Sequence, residues 1–220
     1  SLVVDEETPH TLPNLDFKIM QGNSLLEWFE GVDLRAITGN VSNTISYRSR
    51  SCSPTFIKKW LDQYFETDNH EERVKLRGKI SGAVIIESNN PALRDKLFDM
   101  DVAANSKFFL WHTWFSDVFD RETGNGGFDI VIGNPPYGAK LDAYEKAVLK
   151  TLYETTQSRK DRNNHNVLIQ KASMDTYTMF IELAYRIMRV NGCMTMIVPI
   201  SLTSSDSLSG VHRILTNKCD

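Results

Sequence analysis

The sequence has 220 residues, 41% apolar and 24% charged, a composition that predicts one large globular domain or a domain with an insertion. Its formal net charge of −3 argues against a pure nucleic-acid-binding module, although a local basic groove stays possible. No apolar run approaches the length of a membrane span, and no signal-peptide pattern begins the chain. The widely separated Cys52, Cys193 and Cys219 predict neither disulfides nor a metal site. We therefore expect a cytoplasmic protein without membrane contact.

The first predicted elements lie within residues 15–33. Alternating apolar residues from Leu15 to Met20 predict a strand, and the glycine after them predicts a turn. A short helix is expected over residues 25–30, with Asn23 or Ser24 as its N-terminal cap. Beyond residue 33 the sequence becomes rich in Gly, Asn, Ser and Thr up to residue 53, which predicts a loop or a linker.

Three successive helices are predicted between residues 53 and 104. Ser53 and Pro54 form a helix start, and apolar residues then recur at helical spacing up to residue 65. A second helix is expected over residues 71–89, weakened by its two glycines, and a third begins at Asn90-Pro91. This arrangement predicts a helical insertion in an α/β framework.

An aromatic run precedes the next predicted strand. Its side chains could stack on bases, but their spacing favours packing in a core. We interpret His112, which lies within the run, as a structural histidine and not as a functional one. The aromatic residues of this run are Phe108, Phe109, Trp111, Trp114, Phe115 and Phe119.

Two apolar runs in the later half predict strands. Residues 128–133 form a near-continuous apolar run, which is typical of a buried strand in a parallel sheet, and residues 193–199 form a second run. Helices are expected between them, and this order favours an α/β fold with a parallel sheet and helices on its faces. Because ligands collect at the carboxyl ends of such strands, the residues directly after residue 133 are candidates for a site.

The segments between these two strands predict two helices and a polar loop. Helical spacing predicts one helix over residues 141–155 and another over residues 174–190, the second ended by Asn191 and Gly192. The polar and basic residues 156–166 predict a loop. Its cations could contact phosphates, but a solvated loop is the favoured interpretation.

The residues that follow the first of the two strands are Asn134, Pro135, Pro136 and Tyr137. Consecutive prolines fix two φ angles and remove two backbone donors, so this turn is stiff. The Asn134 side-chain oxygen and the Pro135 carbonyl are acceptors, and the Tyr137 ring offers a flat face. These groups suit a planar ring with an exocyclic NH2 group. Holding both amine hydrogens in a bent geometry would restore lone-pair character to the nitrogen without an ionised base.

The turn and its surroundings resemble the adenine-N6 DNA methyltransferases of restriction–modification systems, above all the large fused restriction–methylation proteins. Residues 14–29, 108–119, 126–142 and 175–201 carry the resemblance. It implies a partial Rossmann-like methyltransferase sheet with a helical insertion, S-adenosylmethionine as cofactor, and methyl transfer to a flipped adenine in double-stranded DNA.

The resemblance also implies roles for single residues. Asn134 and the Pro135 carbonyl would accept from the adenine amino group, Pro136 would stiffen the turn, and Tyr137 would stack on the flipped base. Asp175, with Tyr177 and Phe180, matches a family segment near the target pocket, although Phe180 and Ile181 are expected to pack their helix. The residues that would contact the cofactor are Asn23, Ser24 and Leu25, and Asn23 stands where the family usually has an acidic residue.

One part of the family pattern is missing from this sequence. The glycine-rich cofactor turn that the family has upstream of Asn23 has no room here, and the glycines at residues 124–127 precede a strand instead of following one. We therefore expect a piece of a longer protein that is inactive alone, divided into the start of a methyltransferase core (1–33), a helical insertion (34–106) and the core with the Asn-Pro-Pro-Tyr motif (107–220).

Two other functions remain open at this stage. A glutamine side chain of a protein and the amino group of guanine in RNA are also planar conjugated NH2 groups, so the chemistry of the turn does not separate them from adenine. A non-catalytic module of the same fold is the third interpretation. The sequence leaves the recognised DNA site, a fused endonuclease and the oligomeric state undetermined.

Overall fold

A computed structural model of the chain describes residues 17–34, 54–87, 91–115, 118–119, 126–217 and 219. The chain divides into two compact units, Ser1–Trp114 and Phe115–Asp220. Helices and strands occur in both, and the second contains a small parallel sheet, which agrees with the α/β class. The Rossmann-like character of that sheet and the three predicted domain boundaries stay predictions.

A tight β-hairpin lies in the first unit where the sequence predicts a helix over residues 25–30. Strand β1 (Trp28–Phe29) pairs antiparallel with strand β2 (Val32–Asp33). Glu30 and Gly31 join them with φ angles of 50° and 83°, and positive φ at both positions is typical of two-residue hairpin turns. The helix prediction is wrong because this turn and the strand-forming Trp28 and Phe29 together favour extended backbone.

The strand predicted over residues 15–20 is also wrong where the structure describes it. Residues 17–20 form a turn and a bend, and Phe17 has a φ of 56°. The Phe17 ring is buried and packs edge-on against Tyr64, with 5.0 Å between ring centroids. Residues 15 and 16 lie outside the described residues, as do residues 35–53 of the predicted loop.

The three predicted helices are confirmed. They are α1 (Pro54–Glu66), α2 (His70–Glu87) and α3 (Pro91–Phe98), which ends earlier than expected. Asn69 caps α2, since its side-chain oxygen accepts from the Glu71 amide at 2.9 Å. Each helix buries one apolar stripe, formed by Ile57, Leu61 and Tyr64, by Leu76, Ile80, Ala83 and Val84, and by Leu93 and Leu97.

The first part of the aromatic run lies in the core of the first unit, as predicted, whereas Phe115 and Phe119 are half-buried and pack against Phe128 in the second unit. Phe108, Phe109 and Leu110 are buried, and the short helix α4 (Trp111–Trp114) follows them with Trp114 buried as well. The Phe108 ring lies 5.3 Å from the Phe29 ring. Contacts of this kind account for the density of aromatic residues without any role in stacking on bases.

The second unit contains, in chain order, β3 (Phe128–Gly133), α5 (Ala143–Leu152), β4 (Arg159–Lys160), β5 (Leu168–Gln170), α6 (Thr176–Ile187), β6 (Met188–Met196) and α7 (Ser209–Asn217). Strand β3 pairs parallel with β6, which confirms the predicted parallel pairing. Helix α6 provides the centre of the core, where Tyr177 and Ile181 pack with Leu208 and Val211.

The burial predicted for β3 is wrong, because each residue of the strand is exposed or half-buried. The side chains of Ile130 and Ile132 are 64% and 78% exposed, whereas Val131 between them is half-buried. Successive residues of a strand point to opposite faces, and a parallel strand is buried throughout only where both faces are covered. Among the described residues, β6 is the strand that pairs with β3, and the face with Ile130 and Ile132 stays exposed.

Two further boundaries differ from the predicted ones. Helix α6 ends at Ile187, and Asn191 and Gly192 lie inside β6, where Asn191 has a φ of 60°. Within the predicted polar loop, residues 159 and 160 form β4, which pairs antiparallel with β5, and residues 161–166 lie in the loop that joins the two strands. Within the part of the chain that the structure describes, no helix is long and apolar enough to cross a lipid bilayer.

Candidate active site

The Asn-Pro-Pro-Tyr turn, residues 134–137, lies at the carboxyl end of β3. The Ile197 amide donates to the Gly133 carbonyl at 3.0 Å, so the pairing of β3 with the chain after β6 extends to the residue before the turn. Gly138 closes the turn with a φ of 61°, a value that suits glycine. The sheet therefore places the turn at the strand edge where ligands of α/β folds bind.

Tyr137 is hydrogen-bonded to the chain directly after β6. Its hydroxyl donates to the Ile197 carbonyl at 2.7 Å. Its ring lies edge-on to the Tyr177 ring, with centroids 6.2 Å apart and planes at 85°. The side chain is nevertheless 48% exposed. A hydroxyl bond and an edge contact thus hold the ring while about half of its surface stays open to solvent.

The first residue of α6 holds the turn from another side. The Thr176 hydroxyl donates to the Pro136 carbonyl at 2.6 Å, and Thr176 itself is only 2% exposed. Thr176 is buried and Pro136 is exposed, so this bond joins the surface turn to the core of the unit. Strand β6 and helix α6 therefore fix the turn at two separate positions.

Two acceptors of the turn have no strong hydrogen-bond donor among the residues that the structure describes. The Asn134 side chain is exposed, and its oxygen lies 3.3 Å from the Tyr137 hydroxyl, whose single hydrogen has a nearer acceptor in the Ile197 carbonyl. No described residue donates to the Pro135 carbonyl, although Pro135 is buried as a residue. An amide oxygen and a peptide carbonyl beside a phenol ring can accept two N–H groups from a planar amine.

Asp129, near the beginning of β3, is the carboxyl group of this strand whose pKa is shifted. The Arg189 guanidinium hydrogen-bonds to Asp129 at 2.5 Å and attracts it electrostatically, and these effects hold the pKa of that carboxyl below its usual value. The pair joins β3 to β6 at the end of the strand opposite to the turn. At the turn itself the acceptors are neutral amide groups.

The residues predicted to contact a cofactor lie in the other unit, in a turn before β1. The Asn23 side-chain oxygen accepts from the Leu25 amide at 3.2 Å, and the Ser24 carbonyl accepts from the Trp111 indole at 2.9 Å. Leu25 is buried. Asn23 therefore caps a turn, and the helix it was expected to cap is absent from residues 25–30.

Gly22 makes the close packing of this turn possible. A Cβ atom at this position would lie 2.5 Å from the Phe108 carbonyl and 2.8 Å from the Phe109 ring. The turn also receives the Phe109 amide, which donates to the Leu26 carbonyl at 2.8 Å. Most of the polar groups named in this segment are thus engaged within the first unit.

These residues fit an S-adenosylmethionine site only in part. The Asn23 oxygen and the Ser24 carbonyl are engaged, and Leu25 is buried, which leaves the Ser24 hydroxyl as the group for which the described residues supply no hydrogen-bond partner. One hydroxyl does not make a cofactor site. No reaction step is therefore derived from residues 23–25.

Two contacts in the structure were not predicted from the sequence. The sequence indicates Thr176 only through its place between Asp175 and Tyr177. Glu27 accepts from the His112 amide at 3.0 Å and contacts the His112 ring at 2.8 Å. That pair gives His112 the ordinary structural partner expected for it, and 85 residues separate its members in sequence.

The other residues matched near the target pocket take different positions. Asp175 is the exposed N-terminal cap residue of α6, and its side chain makes no capping hydrogen bond. Ile181 is buried and Phe180 half-buried, so both pack the helix as expected. Tyr177 is the one of these residues that contacts the turn.

Comparisons with known proteins give a match to one family and to a relative of the chain. The sequence profile of the Eco57I restriction-modification methylase family matches residues 21–220. Over 112 residues, 51% of the chain, the sequence is 28% identical to a protein of Methanocaldococcus jannaschii whose name describes a candidate type II restriction enzyme and methyltransferase. The matched part spans 8% of that relative's length. No solved structure matches the chain.

Proposed function

This chain belongs to the Eco57I restriction-modification methylase family, and from this premise we propose that its Asn-Pro-Pro-Tyr turn is the catalytic turn of an S-adenosylmethionine-dependent methyltransferase. The proposed target is the N6 amino group of adenine in double-stranded DNA. The observation that carries the proposal is the pair of acceptors at Asn134 and Pro135, which have no strong donor within the described residues and lie beside the half-exposed Tyr137 ring.

The target nitrogen needs activation because its lone pair is delocalised into the adenine ring. The Asn134 oxygen and the Pro135 carbonyl would each accept one amine hydrogen and hold the group in a bent geometry, which returns lone-pair density to the nitrogen. S-adenosylmethionine, when bound, would supply an electrophilic methyl group, and its sulfur would keep the electron pair of the S–C bond that breaks. Both acceptors are neutral, so the proton released after the new N–C bond forms passes to solvent instead of to an ionised base.

Positioning of the turn matters as much as its acceptors. A misplacement of about 1 Å can lower a rate about 100-fold, and a flipped base must meet both acceptors and the ring together. The bonds from Thr176 to the Pro136 carbonyl and from Tyr137 to the Ile197 carbonyl limit movement of the turn. The substrate ring would lie against the exposed part of the Tyr137 ring, while the nearly perpendicular Tyr177 ring supports Tyr137 from within the unit.

The test is methyl transfer by the complete natural protein. Radiolabelled S-adenosylmethionine is offered with duplex DNA, with RNA and with protein in parallel, and the product is digested to nucleosides and amino acids. We expect label in N6-methyladenine from the DNA. Label in glutamine or in guanine of RNA would replace the proposed substrate while keeping the amine chemistry, and transfer to none of the three would support a non-catalytic module.

A further inference from the structure

The hairpin of residues 159–171 concentrates positive charge in a chain whose other residues are acidic on balance. It contains Arg159, Lys160, Arg162 and Lys171 against the single acid Asp161, a local charge of +3 in a chain whose net charge is −3. Among the described residues none forms an ion pair with Lys160, Arg162 or Lys171, and all three are exposed. Free cations concentrated in this way are a footprint expected for phosphate binding.

The base of the hairpin is anchored. Gln170 is 2% exposed, and its amide donates to the carbonyls of Glu154 and Gln157 at 2.7 and 2.8 Å. Arg159 pairs with Glu154 at 3.1 Å, and Arg213 approaches the same carboxylate at 3.3 Å. The acid beside the hairpin is therefore neutralised by arginines and would not repel an approaching phosphate.

The tip of the hairpin is ordered by its own polar residues. The Asp161 carboxylate accepts from the amides of Asn163 and Asn164 at 2.7 and 2.9 Å. The Asp161 amide donates back to the Val167 carbonyl at 2.9 Å. The asparagines and the aspartate thus shape the turn and present the Arg162 side chain outside it.

Aliphatic side chains accompany the charges on the second strand. Val167, Leu168 and Ile169 are 46%, 45% and 50% exposed. Val167 ends the connecting loop, and the other two begin β5. A two-stranded β-ribbon is one of the elements that the major groove of B-DNA admits, and aliphatic side chains there can contact thymine methyl groups. Cations and aliphatic groups together fit a DNA duplex.

The hairpin also lies close to the candidate active site in the chain. Lys171 precedes Thr176, which holds the turn, by five residues. Five extended residues span at most about 18 Å, so the base of the hairpin lies within about five base-pair steps of the turn along a duplex. A duplex whose adenine reaches the turn would bring flanking phosphates to the hairpin.

We propose that the hairpin of residues 159–171 is a DNA-contacting ribbon, whose Lys160, Arg162 and Lys171 bind phosphates of the duplex that flanks the target base. This inference rests on the proposed function, because it takes DNA as the substrate. It replaces the solvated loop favoured from sequence, since the segment is an anchored hairpin in which Lys160, Arg162 and Lys171 have no acidic partner among the described residues.

The test measures how DNA binding by the complete protein depends on salt. The variant carries Lys160→Gln, Arg162→Gln and Lys171→Gln together, and its control carries Lys59→Gln, Lys75→Gln and Lys79→Gln, three exposed lysines of α1 and α2. Each phosphate contact contributes about 0.9 to the slope of log K against log salt concentration, so the hairpin variant should lose about 2.7 from that slope. The control should keep the wild-type slope.

The outcomes separate this inference from the proposed function. If the wild type binds and methylates DNA but the hairpin variant keeps its slope, or if the control loses as much, the hairpin inference is overturned and the proposed function stands. If the wild type neither binds nor methylates DNA, both the hairpin inference and the proposed function are wrong. Loss of binding to anionic lipid vesicles, with DNA binding unchanged, would make the hairpin a membrane contact and would also overturn the inference. Thermal melting checks that each variant is folded.

Discussion

Asn23 and Asn134 both lie in turns next to strands, one in each unit, and their side chains have different surroundings. The Asn23 oxygen accepts from the Leu25 amide in a turn that packs closely on Phe108. The Asn134 oxygen is exposed, and its neighbour in the structure, the Tyr137 hydroxyl, has a shorter bond elsewhere. The first asparagine satisfies its own backbone, and the second leaves an acceptor for a ligand.

The comparison shows how a turn can be both rigid and available. At Asn23 the asparagine side chain itself stabilises the turn, because its oxygen accepts a hydrogen bond from the Leu25 amide. At Asn134 rigidity comes from the two prolines and from Thr176 and Tyr137, which are bonded to other parts of the turn and the sheet. Because other residues hold this turn, Asn134 has no structural bond that a substrate would need to break.

The largest effect is expected from Asn134→Ala. Methyl transfer should fall about 100- to 1,000-fold, the range for loss of one preorganised hydrogen-bonding group in an active site. The free energy of unfolding should stay within about 0.5 kcal/mol of wild type, because the side chain is exposed. Transfer of labelled methyl to DNA and chemical denaturation measure the two quantities.

Asn217→Ala is the matched control, since Asn217 is an exposed asparagine at the end of α7 in the same unit. It should change neither quantity. Methyl transfer by Asn134→Ala at more than about a third of the wild-type rate would contradict a role for the turn in the reaction.

The sequence predicts those parts of the molecule that depend on local pattern. Helical spacing located Ile57, Leu61 and Tyr64 on the buried side of α1, and an apolar run followed by two prolines located the end of β3. The hairpin of residues 159–170 is harder to predict from the sequence, because no apolar pattern of its own marks it. It is stabilised by Gln170, whose amide donates to carbonyls 13 and 16 residues away.

Contacts between residues far apart in the sequence also limit how much of the candidate site can be predicted. The sequence indicates which residue types could clamp an amine, since Asn134 to Tyr137 are adjacent. It does not indicate that Thr176, 40 residues later, donates to the Pro136 carbonyl. The helix predicted at residues 25–30 failed for a local reason, because positive φ angles at Glu30 and Gly31 reverse the chain there.

A smaller effect is expected from Thr176→Val, which removes the donor to Pro136 while keeping the side-chain volume. The Pro136 carbonyl loses a buried partner, so the free energy of unfolding should fall by about 1–2 kcal/mol. The turn should also become less well positioned, and kcat should fall about tenfold with KM for DNA little changed. Steady-state kinetics and chemical denaturation provide the measurements.

Two further variants separate positioning from general destabilisation. Thr176→Ser restores the hydroxyl and should return kcat to within about threefold of wild type. Thr178→Val is the control, because Thr178 is buried on the same helix and donates to the Asp175 carbonyl instead of to the turn. If Thr178→Val lowered kcat as much as Thr176→Val, the effect would come from the helix and not from the bond to Pro136.

The smallest effect on the reaction is expected from Asn23→Ala, because the Asn23 oxygen serves its own turn. Loss of the bond to the Leu25 amide should lower the free energy of unfolding by about 1 kcal/mol, and kcat at saturating S-adenosylmethionine should change less than about threefold. Asn69→Ala is the matched control, since Asn69 caps α2 through the same kind of bond. A rise in KM for S-adenosylmethionine in Asn23→Ala alone would add the proposed cofactor contact to the structural one. A loss of kcat as large as that of Asn134→Ala would instead show that the two asparagines do not differ in the way their hydrogen bonds indicate.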